Sequence, residues 1–366
     1  MLTELSLALN NKPNYLYFMV TSRCNAFCDF CWNWENVADA GKLYKPGAPI
    51  KRQEMSLAEI EKMTLRLPEM LLVDLFGGEP FVREELDQII ALFVRNTKVK
   101  YISIPTNGFY TEKILKDVEK SLVDFPQTFF RLYVSIDGPP LVHNKIRKLK
   151  DGYRNAMASA DGLIALKKKY KNLSVSCNVN YNKETAPSMK AYIDDLLNMK
   201  KFDAINLNLV RGKLYDPQLL DVNYKEYFEL QKLIKAAGSH SDQPFSPVHK
   251  AIEKRTTAIV EDSVYKNEGR KFNCFAVRKI SVVSDTGDVF ACEEMLDNKI
   301  GNLRDFDYNL SSVLTSAKGK ELKNSIMKKE CNCRWECAIN TSSVFDYTHY
   351  PKLATQAALN MIQKAT

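Results

Sequence analysis

The sequence predicts an α/β protein: a partial (β/α)6 TIM-like barrel followed by a small C-terminal α+β domain. Three observations predict it. Strand-like and helix-like segments alternate through somewhat more than half of the 366 residues. The motifs that carry chemistry fall just after strand-like segments. Eight of the nine cysteines form two groups, at 24, 28 and 31 and at 274, 292, 331, 333 and 337, and only Cys177 stands apart.

The elements follow in order. Residues 14–21 (NYLYFMVT) read as a strand that runs into the first cysteines. Residues 56–67 read as a helix, with Ser56 as N-cap and Glu59 three residues on, a capping box. Residues 70–76 (MLLVDLF) form a short apolar run, as a buried parallel strand requires. Helices over 84–95, 111–123, 153–170 and 186–199 then alternate with strands over 99–104, 129–136, 173–179 and 204–210. Such alternation argues for a parallel sheet covered by helices. In a barrel of this kind the chemistry belongs at the C-terminal ends of the strands. Beyond Val210 the pattern changes. Residues 216–262 look helical and connecting, and 279–284 and 288–292 read as two strands joined through Asp285, Thr286 and Gly287. The expected division is a core at 1–215, a helical connector at 216–265 and a cysteine-bearing module at 266–366.

Bulk properties exclude some classes. Hydrophobic residues make up 45% and charged residues 26%, the composition of an ordinary globular protein. No apolar run approaches a membrane span and the first residues do not read as a secretory signal, so no membrane association and a cytoplasmic location are expected. The net charge of +8 is scattered without a nucleic-acid motif, so no nucleic-acid partner is expected. Clustered cysteines in a reducing compartment point to metal or redox chemistry rather than disulfides. The four histidines, at 143, 240, 249 and 349, have no metal-site spacing and are expected to be structural or surface residues.

Cys24, Cys28 and Cys31 form a C-x3-C-x2-C pattern directly after the first strand. Three thiolates can hold three irons of a [4Fe–4S] cube and leave the fourth open. A zinc knuckle or reduced core cysteines are the alternatives, although structural zinc takes four ligands and no His lies nearby. The pattern, with Phe30 before the last cysteine, resembles the signature of the radical S-adenosylmethionine (SAM) family. Gly77, Gly78, Glu79 and Pro80 after the second strand resemble that family's GGEP motif, which implies that they hold the SAM amino group. Ser135, Ile136, Asp137 and Gly138 resemble the segment that contacts the SAM ribose. His143 to Arg147 (HNKIR) resemble the family's HDxxR stretch, which implies that Arg147 meets the SAM carboxylate. Asn144 departs from the usual Asp of that stretch. The chemistry agrees: an ammonium needs a carboxylate, a ribose diol needs acceptors, and a carboxylate favours a bidentate Arg. The resemblance covers about residues 14–210. It implies reductive cleavage of SAM to a 5′-deoxyadenosyl radical that abstracts a hydrogen atom from substrate, with an external flavodoxin- or ferredoxin-like electron donor.

The second group resembles the SPASM/twitch extension of the same family. Cys274, then Gly287 to Cys292 as G-x4-C on a hairpin, then Cys331, Cys333 and Cys337 repeat its order. The full SPASM pattern has seven cysteines and this module has five, which implies one auxiliary [4Fe–4S] cluster. The expected ligands are Cys274, Cys292, Cys337 and one of Cys331 or Cys333, with a zinc site on the same cysteines as the alternative.

Glu293 directly follows Cys292 and matches by position the acid proposed as general base in sulfatase-maturating relatives. The alternative is a solvated hairpin charge for Glu293 or Glu294. Cys177, on the predicted fifth strand, could donate a hydrogen atom if it pointed into the barrel, although a strand cysteine is ordinarily a small core residue. Asn178 and Asn180 could contact SAM or substrate, and Trp32 and Trp34 could shield the cluster. Only a short segment precedes the first strand, too short for the leader-binding domain of many peptide-modifying relatives. The expected substrate is therefore a small molecule such as a sugar or aminocyclitol, oxidised with the auxiliary cluster taking the second electron. A peptide- or protein-modifying enzyme (dehydrogenation, epimerisation or cross-linking) is the runner-up. A non-catalytic Fe–S or zinc protein would explain the cysteines but leave Glu79, Asp137 and Arg147 unexplained.

Overall fold

The structure is a computed structural model that describes residues 2–40, 53–237, 246–265, 269–331, 333 and 335–355. After helix α1 (Leu2–Leu9), six strands alternate with helices: β1 (Tyr15–Thr21), α2 (Trp34–Asp39), α3 (Leu57–Thr64), β2 (Leu72–Gly77), α4 (Leu86–Thr97), β3 (Tyr101–Thr106), α5 (Thr111–Asp124), β4 (Phe129–Ser135), α6 (Pro140–Arg147), α7 (Gly152–Lys169), β5 (Leu173–Tyr181), α8 (Ala186–Met199) and β6 (Ile205–Leu209). Helices α9 (Tyr224–Ala237) and α10 (Ser246–Val260) lead to the hairpin β7 (Ile280–Val283) and β8 (Asp288–Phe290), the short strand β9 (Gly301–Asn302), and helices α11 (Leu310–Leu314), α12 (Ala317–Met327) and α13 (Glu336–Phe345). The expected capping box is present: Ser56 Oγ accepts from the Glu59 N–H, and Glu59 accepts from the Ser56 N–H.

One nine-stranded sheet runs β6-β5-β4-β3-β2-β1-β7-β8-β9. Its first six strands are parallel, and the sheet does not close. The C-terminal hairpin joins this same sheet, because β7 pairs parallel with β1 from Tyr15↔Ile280 to Phe18↔Val283. Sequence spacing could show that residues 279–292 make a hairpin. It could not show that the hairpin docks on β1, because edge pairing leaves no period in the sequence.

Alternation along the strands sorts two environments. Ile102, Ile104, Phe130, Leu132, Val134, Val175 and Val179 are buried in the main core with residues of the surrounding helices. Tyr101, Ser103, Arg131, Tyr133, Ser135, Ser176, Asn178 and Asn180 line a cavity of about 1640 Å³ on the other face. The period of two in a strand makes this separation obligatory. A polar lining inside a parallel sheet costs solvation unless a ligand or water uses it, so the cavity is where binding is expected.

Two clamps hold the C-terminal part to the core. Arg304 donates to Glu59 Oε1 at 2.7 Å, and the Tyr308 hydroxyl donates to the same oxygen at 2.9 Å. Asp285, in the hairpin turn, accepts from the Ser22 N–H at 3.0 Å, at the mouth of the first cysteine loop. Helix α1 and helices α11 to α13 carry no periodic signal strong enough to read in advance. Helix α1 is capped by tertiary contact: the Lys279 ammonium donates to Leu7 O at 3.2 Å and to Asn10 Oδ1 at 3.0 Å.

Candidate active site at the C-terminal ends of the strands

The chain leaves β1 through Ser22 and Arg23 into the loop that carries Cys24, Cys28 and Cys31. Arg23 is buried and pairs with Glu54 at 3.0 Å, while Arg83 reaches the other Glu54 oxygen at 2.8 Å. One carboxylate between two guanidiniums fixes the root of the loop. Sequence reading missed Glu54 and Arg83, since they lie far from the cysteines in the chain. Within the loop the Ala26 N–H donates to Cys24 Sγ at 3.4 Å, and the Cys31 N–H donates to Cys28 O at 3.1 Å. Burial, and then the neighbouring cysteines, raise the thiols: Cys24 goes well above its ordinary value and Cys31 up to about 12. Burial pushes Cys28 to about 11, against the pull of the Arg147 guanidinium.

The three thiols therefore sit near one cation, Cys24 and Cys28 buried and Cys31 half-buried. An anionic cluster resolves that arrangement by replacing protons with iron. Among the described residues no three His, Cys, Asp or Glu side chains converge as they would on one metal ion. The three thiols of this loop line one cavity and are the residues that would hold a cluster there.

Beside this loop β2 ends in Gly77 and Gly78. Gly77 has φ +147°, and a Cβ there would lie 2.0 Å from Thr21 O. A Cβ on Gly78 would lie 2.3 Å from Arg23 O. Only glycine lets the end of β2 lie this close to the end of β1. Glu79 follows, buried, and its carboxylate accepts from the Thr106 hydroxyl at 2.7 Å, the Asn107 N–H at 2.7 Å and the Phe81 N–H at 3.3 Å. Burial still wins and pushes Glu79 up to about 7, so a cationic ligand would relieve it. Pro80 begins the tight helical turn Pro80–Val82.

The end of β4 carries Ser135 and Asp137. Asp137 Oδ2 accepts from Arg147 Nε at 2.5 Å, and its Oδ1 accepts from the Asn180 N–H at 2.9 Å. The guanidinium of Arg147 lies 5.4 Å from the centre of the Phe30 ring. Asp137 thus orients Arg147, a relation that motif reading did not foresee. His143 is fully buried and accepts from the Asp137 N–H at 3.1 Å. Burial lowers His143 to about 4, which keeps it neutral and structural, as expected for it. Asn144, the departure from the usual Asp, accepts from the Tyr153 N–H at 2.8 Å and so ties α6 to α7.

These parts surround one cavity. Cys24, Cys28, Phe30, Cys31, Gly77, Gly78, Glu79, Pro80, Ser135, Asp137 and Arg147 all line it. Trp32 and Trp34 line it too, Trp32 stacking 6.3 Å from Phe76. Cys177 does not. It lies on the strand face opposite Ser176 and Asn178, buried in the core near Tyr153 and Tyr192. This corrects its candidacy as a hydrogen donor: strand alternation turns the thiol toward the helices. Asn178 and Asn180 do face the cavity.

Residues 18–196 match the model of the radical SAM superfamily. The chain carries a radical SAM domain. A segment of 122 residues is 30% identical to the GTP 3′,8-cyclase of Klebsiella pneumoniae subsp. pneumoniae, covering 33% of this chain and 34% of that protein. Another of 170 residues is 29% identical to the probable GTP 3′,8-cyclase of Methanococcus maripaludis, covering 44% and 50%. The chain thus matches between about a third and a half of these relatives' length. Two solved structures share the fold. Native anSMEcpe with bound AdoMet superposes with a TM-score of 0.56 at 18% identity, over 94% of this chain and 99% of that one. Streptococcus suis SuiB bound to precursor peptide SuiA gives 0.58 at 12% identity, over 88% and 69%. The radical SAM domain implies SAM and a [4Fe–4S] cluster, and the loop just described is where three cysteines fit one.

The second cysteine group is assembled from distant segments. Cys292 lies within electrostatic reach of Cys333 and Cys274, and Cys333 of Cys274 and Cys331. Arg270 donates to Cys331 Sγ at 3.0 Å. Cys337 is on α13, and its side chain lies outside the described residues, as does all of His240. Glu293 turns into the radical SAM cavity, where Arg211 reaches its Oε2 at 3.2 Å and Glu294 at 2.9 Å. Burial raises Glu293 to about 7 despite Arg211. Trp335 stacks under Arg211, 5.6 Å from ring centre to guanidinium. Among the described residues no helix is long and apolar enough to cross a membrane.

Proposed function

We propose that this chain is a radical SAM enzyme that abstracts a hydrogen atom from a small polar substrate held in the barrel cavity. In this reading the substrate is oxidised with the help of an auxiliary Fe–S cluster. The observation that carries it is the single cavity shared by the three-cysteine loop, Glu79, Arg147 and Glu293. When bound, the cluster and SAM supply one-electron cleavage of the sulfur–carbon bond and the 5′-deoxyadenosyl radical.

The chain's own residues do the rest. Cys24, Cys28 and Cys31 would hold the cluster. Glu79, fixed by three donors, receives the SAM ammonium over Gly77 and Gly78. Asp137 holds Arg147 by Nε, which leaves the terminal nitrogens of the guanidinium for the SAM carboxylate. Ser135 and Asn178 offer acceptors to the ribose. Glu293, held by Arg211, takes a proton from the substrate as it loses its second electron. Cys274, Cys292, Cys337 and one of Cys331 or Cys333 would hold an auxiliary cluster, which would supply a place for that electron. A flavodoxin- or ferredoxin-like protein supplies the first electron.

A peptide- or protein-modifying role is the second reading. It is favoured by the way the cavity continues past β6 to Lys235, Thr256 and Asn340 on α9, α10 and α13. The test is anaerobic reconstitution with iron, sulfide, SAM and a strong reductant. The expected product is 5′-deoxyadenosine from protein loaded with about two clusters per chain. No 5′-deoxyadenosine from fully loaded protein would overturn the enzymatic reading and leave an Fe–S or zinc scaffold.

A further inference from the structure

A polar layer lies deeper in the barrel than the proposed SAM site. Strand register sets Tyr17, Asp74, Ser103, Arg131 and Ser174 side by side on β1 to β5. Tyr17, Asp74, Ser103 and Arg131 line the cavity. Arg131 shares its strand face with Ser135, four residues further on, which puts the layer about 13 Å below the strand ends.

Arg131 is the unusual member. Its guanidinium lies 4.5 Å from the centre of the Tyr101 ring. No carboxylate among the described residues pairs with it, and its buried Nε–H has no hydrogen-bond partner. Ser174, its register neighbour, is buried with an Oγ that also lacks a partner. Asp74 is in the same layer but two strands away, so about 10 Å separates the two backbones. Buried unsatisfied donors cost free energy, and a guanidinium more than most. A ligand group facing the cavity is the natural partner.

We propose that Arg131 binds a carboxylate carried by the substrate. The planar fork of an Arg matches a carboxylate with two parallel hydrogen bonds. Stacking on Tyr101 holds the fork in place. A monoanion is favoured over a phosphate dianion because Arg131 is the single cation of this layer and would leave a second negative charge unmatched. The anchored end lies deep, so the rest of the substrate extends toward the strand ends, where hydrogen abstraction is proposed. The inference rests on reading this cavity as the substrate chamber.

The experiment uses the full chain with clusters reconstituted and acetate as the probe, at ionic strength matched with chloride. Binding to the folded state raises the unfolding temperature, so acetate response can be read by calorimetry. The expected result is a saturable rise in the wild type. In Arg131→Gln the concentration for half-maximal response increases about tenfold or more. Should Arg131→Gln fail to fold, Arg131→Lys carries the test, with a loss of about threefold or more because the charge stays and the fork goes. An equal acetate response in wild type and variant, or no wild-type response, overturns the proposal. A stronger response to inorganic phosphate than to acetate overturns the commitment to a carboxylate. Formation of 5′-deoxyadenosine by the wild type, measured separately, keeps the two readings apart. An Arg131-dependent acetate response without it leaves the anion site standing and removes the radical reading.

Discussion

The two cysteine groups are built in opposite ways. Cys24, Cys28 and Cys31 come from one short loop whose root is fixed by the Arg23–Glu54–Arg83 triad. Cys274, Cys292 and the Cys331–Cys333 pair come from three separate segments, Cys292 directly after the β7–β8 hairpin that docks on β1. A local loop keeps its ligand spacing whenever its root is held. An assembled site depends on every segment that contributes a thiol. The difference teaches that the first site is robust and readable, and the second is conditional on the fold.

Predictions follow from trying to break that difference, the largest effect first. Changing Cys24, Cys28 and Cys31 to Ala is expected to remove SAM cleavage, lowering 5′-deoxyadenosine by about a thousandfold or more, with about half of the iron retained. Loss of all the iron would show that the two sites do not load independently. Glu293→Gln is expected to lower substrate turnover by about a hundredfold, within the usual range for loss of a general base. Product quantification against the wild type checks this, and an unchanged rate would remove Glu293 from the mechanism. Gly78→Ala forces a Cβ to within 2.3 Å of Arg23 O. The joint between β1 and β2 must open, and a loss of about 1–3 kcal/mol in stability is expected, read as a lower unfolding temperature with weaker SAM binding.

The smallest effect concerns the clamp between core and C-terminal part. Burial opposes ionisation of Glu59, but hydrogen bonds from Arg304, Ser56 and Tyr308 outweigh it and lower its pKa from 4.5 to about 2. A depressed carboxylate stabilises the fold above its unfolded value. That contribution is lost as pH falls from 4.5 toward 2, because the unfolded chain takes up the proton first. The clamp is only partly buried and reached by solvent, so Arg304→Met should cost under about 1 kcal/mol at neutral pH. The difference in unfolding temperature between wild type and variant should shrink as the pH approaches the lower value. A difference that stays constant with pH would assign the clamp to packing rather than charge.

Much of this molecule was legible in its sequence. The order of the β/α elements was readable because apolar strand runs and amphipathic helices carry their own periods. The capping box at Ser56 and Glu59, the span of α8 and the hairpin through Asp285 to Gly287 appear as expected. The glycines of GGEP were readable as a motif, and the reason for them is the close approach of β1 and β2. Cys177 was left open because a residue's strand face depends on which neighbours pack there. Arg131, Arg211 and the Asp137–Arg147 bond were missed because each joins residues on different strands or loops.

The sequence by itself determined the class of chemistry. Three cysteines at close spacing, two glycines and an acid at a strand end, and an Arg on the helix after a later strand are local patterns, and local patterns survive in a linear text. Only the tertiary structure decided which side chains share the cavity. It turned Cys177 away, brought Glu293 in beside Arg211, brought cysteines of three segments within electrostatic reach of one another, and left the Arg131 Nε–H without a partner in the barrel. Those outcomes follow from strand register and from the docking of the hairpin on β1, which couple residues far apart in the chain and leave no period behind.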